Sequence, residues 1–231
     1  MTTAHTALAR LGTLAIHLGS FAITLWIWLQ VEAARSGMLV SAAIIVGGVV
    51  LMVPASVAAR RWLDREPTPG RVHMATFFLH WAIMLLLGAA VLEAIKTGRS
   101  WQGWTVPLPP VVGWYLMVIT GTAGVLCVLN LAVRGLGAPW SIALSRRLAS
   151  DWLYRWTRNP MGLAFFAFLV SFGLWIQSAL FIAWVVLAVA PCWLLFVRIF
   201  EERELELRFG EAYRVYRART PMLIPGPARR R

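Results

Sequence analysis

Charge is scarce in this chain: of its 231 residues only 14% are Asp, Glu, Lys or Arg, against about 25% in an average soluble domain. With 59% of the residues apolar, that shortage excludes an ordinary soluble enzyme. Cysteine is scarcer still. Cys127 and Cys192 lie far apart in separate apolar stretches, which excludes a disulfide framework and a zinc-site spacing. Internal repeats and low-complexity segments are absent as well. A net charge of +12 would point a soluble protein toward nucleic acid, but the basic residues here occupy short connectors between apolar runs. The expected partner is therefore the lipid bilayer and its charged surface, with no nucleic acid.

What is abundant is uninterrupted apolar sequence. Uncharged stretches run over 11–31, 36–59, 72–92, 100–133 and 159–197, each long enough for a membrane-crossing helix of about 20 residues. The first three hold one span each. The fourth opens with Trp101, Trp104, Pro107, Pro109 and Pro110, which suit an interfacial loop and not a helix interior, so its span is expected at about 111–133. As a single helix rising about 1.5 Å per residue, the fifth would be nearly twice as long as the hydrocarbon core is thick. It is expected to fold back at Gln177–Ser178 into spans at about 160–176 and 179–198, with Pro191 kinking the second.

Arginine placement decides the parity. Six spans leave 19 arginines on one side and only Arg35, Lys96 and Arg99 on the other, whereas five spans leave 10 basic residues against 12. The positive-inside rule selects six. The expectation is an all-α integral membrane protein of about six transmembrane helices in the inner (plasma) membrane, with both termini cytoplasmic. Its first apolar run, 21 residues long, exceeds a signal-peptide core and reads as a retained span. Residues 1–231 form a single membrane domain: 1–110 with three spans and an extracytoplasmic loop, 111–200 with three more, and 201–231 as a cytoplasmic amphipathic tail.

Two polar segments far apart in sequence flank the last pair of spans. One is the connector from Gly135 to Pro160; the other runs from Arg198 to Gly210. Because the last two spans form a tight hairpin, their outer ends meet, so Arg158–Asn159 and Glu201–Glu202 are expected neighbours. Snorkelling arginines and solvated glutamates, with Glu204 and Arg208 as an i,i+4 pair, would account for the charges alone. Acids at a helix C-terminus, however, oppose the macrodipole and face anionic headgroups, so Glu201 and Glu202 cost stability unless they bind something. A zwitterionic ligand carrying a cation suits such a site.

The pattern Arg158-Asn159-Pro160-Met161, then a helical hairpin, then Glu201-Glu202-x-x-Leu205-x-x-x-Phe209-Gly210-x-x-Tyr213-x-x-Tyr216 and Thr220-Pro221-x-x-Ile224-Pro225, resembles one known superfamily. It is that of the isoprenylcysteine carboxyl methyltransferases and phospholipid N-methyltransferases, and the resemblance covers about residues 130–225. It implies methyl transfer from S-adenosylmethionine to a lipophilic or membrane-dissolved acceptor, with the cofactor at the cytoplasmic face. Residue by residue, Tyr154, Arg158, Asn159 and Pro160 match the first cofactor motif, Glu201 and Glu202 match the second, and Gly135 and Gly137 resemble a glycine pair near the cofactor. Arg158 would fork to the cofactor carboxylate, a glutamate would accept from ribose or the amino group, and aromatic rings would flank the sulfonium. The chain departs from the pattern where Trp152 and Leu153 precede Tyr154, where Gly162 replaces an aromatic residue and where Ala164 replaces a glycine.

Residues 201–220 read as an amphipathic helix with Leu205, Phe209, Tyr213 and Tyr216 on one face, weakened at Gly210 by about 1 kcal/mol relative to alanine. His17, His73 and His80 lie in or near spans; His80 is a candidate for facing the substrate. Competing expectations are an NADPH-dependent enone or sterol reductase on a similar scaffold, a haem protein using paired histidines, and a non-catalytic membrane protein.

Overall fold

The computed structural model describes residues 3–100, 103–133 and 147–226, without the side chains of residues 3–10, 99 and 100. Helices form wherever the sequence runs without charge, and prolines mark several of their beginnings. Helix α1 spans Thr3–Ala33, α2 Met38–Val50, α3 Met52–Arg65, α4 Pro69–Ser100, α5 Pro110–Val133 and α6 Pro160–Trp175. Three of these open on proline, where the missing N–H has no intrahelical partner to lose. Leu51 keeps helical angles between α2 and α3, so Met38–Arg65 is one apolar span that continues into a charged end.

The chain reverses after α6 at Gln177–Ser178, as the polar pair led us to expect. Gln177 adopts φ 57°, and the Ser178 hydroxyl caps the next helix by accepting from the Phe181 amide at 3.2 Å. That helix runs to Arg219 as α7 Ala179–Trp184, a π-turn Val185–Val189, α8 Ala190–Phe196, a second π-turn Val197–Glu201, and α9 Glu202–Arg219. Pro191 sits at the start of α8, directly after the first π-turn. The kink expected at this proline is thus seen as a widened turn preceding it, which accommodates the lost N–H.

Five helical segments are long and apolar enough to cross a membrane: Leu11–Ala33, Met38–Arg65, Pro69–Gly98, Pro110–Val133 and Ala179–Arg219. The sixth apolar helix, α6, has 16 residues. At about 1.5 Å per residue it is shorter than a hydrocarbon core of about 30 Å. The protein is therefore an all-α, multi-pass membrane protein, and its only described extended pairing is a bridge between Thr105 and Ser178. Residues 103–110, expected as an interfacial loop, are stitched to the hairpin turn: Val106 N donates to Gln177 O at 3.1 Å, and Gln177 Nε2 to Leu108 O at 3.0 Å.

The core lies between α2, α3, α4 and the last span, around Val49, Met52, Leu63, Leu79, Val189, Val197 and Phe200. Helix α5 packs on α6, and Gly113 allows it: a Cβ there would lie 2.2 Å from the Trp175 amide nitrogen. At the end carrying the α1–α2 connection, Lys96 donates to Val31 O and Ala34 O and pairs with buried Glu93 at 2.8 Å. Ser41 donates to the same carboxylate at 2.6 Å, so one ionic knot ties α1, α2 and α4 together.

Candidate functional site

At the other end of the hairpin the chain leaves the last span through the π-turn Val197–Glu201. A π-turn shifts the hydrogen-bond register, and here a side chain meets one of its carbonyls: Arg60 Nη1 donates to Ile199 O at 3.1 Å. Arg203 pairs with Asp64 at 2.8 Å, so the end of α3 braces the turn that carries Glu201.

Helix α9 does not continue straight. Gly210 has φ 54° and ψ −127°, a backbone open to glycine, and the helix breaks there. The four residues expected on one continuous face therefore divide. Leu205 and Phe209 stay with the first half, while Tyr213 is 2% exposed and Tyr216 donates to Tyr154 O at 2.7 Å. Beyond α9, residues 220–226 return along the entry to α6. Arg158 N donates to Pro221 O at 2.9 Å, Thr157 Oγ1 and Asn159 Nδ2 donate to Met222 O at 3.1 and 2.9 Å, and Gly226 N donates to Trp156 O at 3.0 Å.

These two strips of backbone enclose the charged groups. Arg158 pairs with Glu202, and its guanidinium lies 3.4 Å from the Tyr213 hydroxyl. Arg217 approaches the second oxygen of Glu202 and Glu206, both at 3.8 Å. Glu204 pairs with Arg208 at 2.6 Å, as the i,i+4 spacing led us to expect. Two polar groups are left over. The Arg158 Nε is buried without an acceptor. Glu201 has no hydrogen bond or ion pair among the described residues; burial, then repulsion from Glu204 and Glu202, pushes its pKa up to about 7. Burial also drives up the phenols of Tyr154, Tyr213 and Tyr216, so they remain neutral donors. A cavity of about 160 Å³ opens beside Arg158, lined also by Arg217, Thr220, Pro221 and Met222.

The structure thus brings Tyr154, Arg158, Asn159, Pro160, Glu201 and Glu202 to one end of the hairpin. Asn159 spends its amide on Met222 O, and Pro160 opens α6. His80 is separate, in the middle of α4, with Nδ1 bonded to Thr76 O at 2.8 Å and its ring edge-on to Phe196 at 5.6 Å. Gly135 and Gly137 lie outside the described residues. The Gly162 departure has a packing cause: a Cβ there would lie 2.3 Å from the Trp193 indole, which fills that space. Ala164 packs toward Gly124 on α5. Sequence reasoning missed Arg217, Thr157 and the Met222 carbonyl; of these only the Thr220-Pro221 motif nearby offered a signal.

Chemically, the arrangement offers a partly buried carboxylate, unpaired among the described residues, at the same end of the hairpin as an arginine whose Nε has no acceptor among them. It is suited to a zwitterion whose carboxylate meets Arg158 and Arg217 and whose cation meets Glu201. Comparison with protein-family models and with curated proteins finds no match.

Proposed function

We propose that this protein is an integral-membrane methyltransferase that binds S-adenosylmethionine between residues 154–160 and 201–222 and methylates a lipophilic acceptor dissolved in the bilayer. The observation that carries this reading is Glu201: a partly buried carboxylate flanked by two other acids and without a partner among the described residues, next in sequence to the Glu202 that pairs with Arg158. A buried carboxylate without a counter-ion is costly, and a ligand cation removes that cost. S-adenosylmethionine supplies both a sulfonium and an ammonium, and its carboxylate answers the arginines. The motif resemblance over 130–225 points to the same ligand.

In the reaction a lone pair on the acceptor attacks the methyl carbon, the carbon–sulfur bond breaks, and its electron pair stays on sulfur as the thioether S-adenosylhomocysteine. The protein contributes alignment and exclusion of water, and neutral tyrosines leave the cation's field intact. With α6 counted as a sixth, short crossing, 19 arginines fall on the side bearing this site, which supports entry of the cofactor from the cytoplasm of the inner (plasma) membrane with both termini on that side.

Calorimetric titration of the purified protein tests the cofactor. S-adenosylmethionine should bind at micromolar to sub-millimolar concentration with release of a proton near pH 6.5, because the cation ionises Glu201, and NADPH should not bind. Arg158→Ala should weaken binding at least tenfold. Saturable NADPH binding without S-adenosylmethionine binding would favour a reductase on this scaffold and remove the proposal.

A further inference from the structure

A second cavity, of about 220 Å³, lies at the end of α5, lined by Leu126, Leu129, Asn130, Val133 and Trp152. The four α5 residues fall at i, i+3, i+4 and i+7, so they form one face of the helix. Three of them are leucines and a valine exposed by 43, 49 and 82%, an apolar wall facing outward where lipid lies. Asn130 differs. It is 8% exposed, and its Nδ2 is buried with no hydrogen-bond partner among the described residues. Leaving a buried amide donor unpaired costs stability.

The cavity is joined to the charged site through the chain, since Trp152 on its wall is two residues from Tyr154. On the neighbouring face of α5, Cys127 is 1% exposed and Leu131 packs against the cluster of Ala149 and Tyr154. The Tyr154 phenol lies within electrostatic reach of Cys127, Glu201 and Tyr216, and its backbone carbonyl accepts from Tyr216. Asn130 stands next to Leu131 and one turn from Cys127 on α5. Trp152, held at φ 51°, closes the cavity from the segment that leads into Tyr154. This gives a role to the Trp152 departure from the family pattern: it is a wall of the cavity.

We infer that this cavity seats the methyl acceptor, a bilayer-dissolved molecule whose apolar chain lies along Leu126, Leu129 and Val133 and whose head presents an oxygen acceptor to Asn130 Nδ2. The inference rests on the methyltransferase reading for its purpose, but acceptor seating is measured without turnover. Such a head, a carboxylate or carbonyl, satisfies the donor that the protein leaves unpaired. A plain hydrocarbon cannot.

The test uses the full chain in nanodiscs and a diazirine-bearing palmitic acid as probe, with the equivalent diazirine alkane as control. After irradiation, labelled peptides are quantified by mass spectrometry. The peptide containing Leu126–Val133 should carry at least five times the label of the peptide containing Leu187, a residue of the last span that is 76% exposed. The alkane should label the two equally, and unlabelled palmitate should compete. Asn130→Leu should remove the preference. Val133→Trp, which keeps the amide but fills the cavity from an exposed position, should remove it too and guards against a folding defect in the first variant. Equal labelling of both peptides by the acid, or a preference that persists in Asn130→Leu, overturns the inference. Calorimetry with S-adenosylmethionine on the same variants keeps the two readings apart: intact cofactor binding without acid preference removes the acceptor seat alone.

Discussion

Glu201 concentrates the chemistry of the site at the scale of one residue. Its neighbours Glu202 and Glu204 each have an arginine, while Glu201 faces their negative charge with none among the described residues. Burial, joined by that repulsion, raises its folded pKa from 4.5 to about 7, so the folded state holds a proton that the unfolded chain releases. Stability from this group is full below about pH 4.5, declines as pH rises, and levels off above about pH 7. The melting temperature of the ligand-free protein should therefore fall between pH 5.5 and 8 more steeply in the wild type than in Glu201→Gln. Parallel pH profiles for the two proteins would show that Glu201 is not held protonated. Asn159 makes the contrast: its Nδ2 donates to Met222 O, which ties the returning segment to the entry of α6.

Helix α9 shows how an element is shaped to serve those residues. Gly210 sits at φ 54° and ψ −127°, and the break it permits lets Tyr213 reach Arg158 while Tyr216 reaches Tyr154 O. Alanine at that backbone costs about 1–3 kcal/mol, and straightening the helix instead would withdraw both tyrosines. Gly210→Ala should lower the melting temperature by several degrees, at about 2–4 °C per kcal/mol for a chain of this size, and weaken S-adenosylmethionine binding several-fold. A variant as stable as the wild type with unchanged affinity would mean that the bend does not build the site. The π-turn Val197–Glu201 plays a matching part at the start of the element. It carries Glu201 and is braced by Arg60 and Arg203 working with α3, so the spans with no motif resemblance still hold the site in place.

Across the whole molecule, charges and prolines made the spans legible. Pro69, Pro110 and Pro160 open helices in the structure, and the reversal falls at Gln177–Ser178. The meeting of Arg158 with Glu202 followed from the hairpin alone. Other features had no counterpart in residue type. Apolar periodicity does not distinguish a π-turn from an α-turn, so the helix that runs from Ala179 through both π-turns into the first half of α9 read as separate pieces. Glycine at 210 read as a weak helix residue because sequence carries no sign of a positive φ. Backbone carbonyls such as Met222 O bind through geometry, and Asn130 passed as one polar residue among many apolar ones. The central claim is methyl transfer at the basic face, and labelled transfer in sealed vesicles tests it most directly. Inverted and right-side-out vesicles containing the protein would be given methyl-labelled S-adenosylmethionine, which does not cross the bilayer, and their lipid extracts counted. The account predicts label in the extract of inverted vesicles, lost in Arg158→Ala and Glu201→Gln, and none from right-side-out vesicles. Absence of labelled lipid-soluble product in both orientations, in vesicles supplied with the cell's own lipid extract, would contradict it.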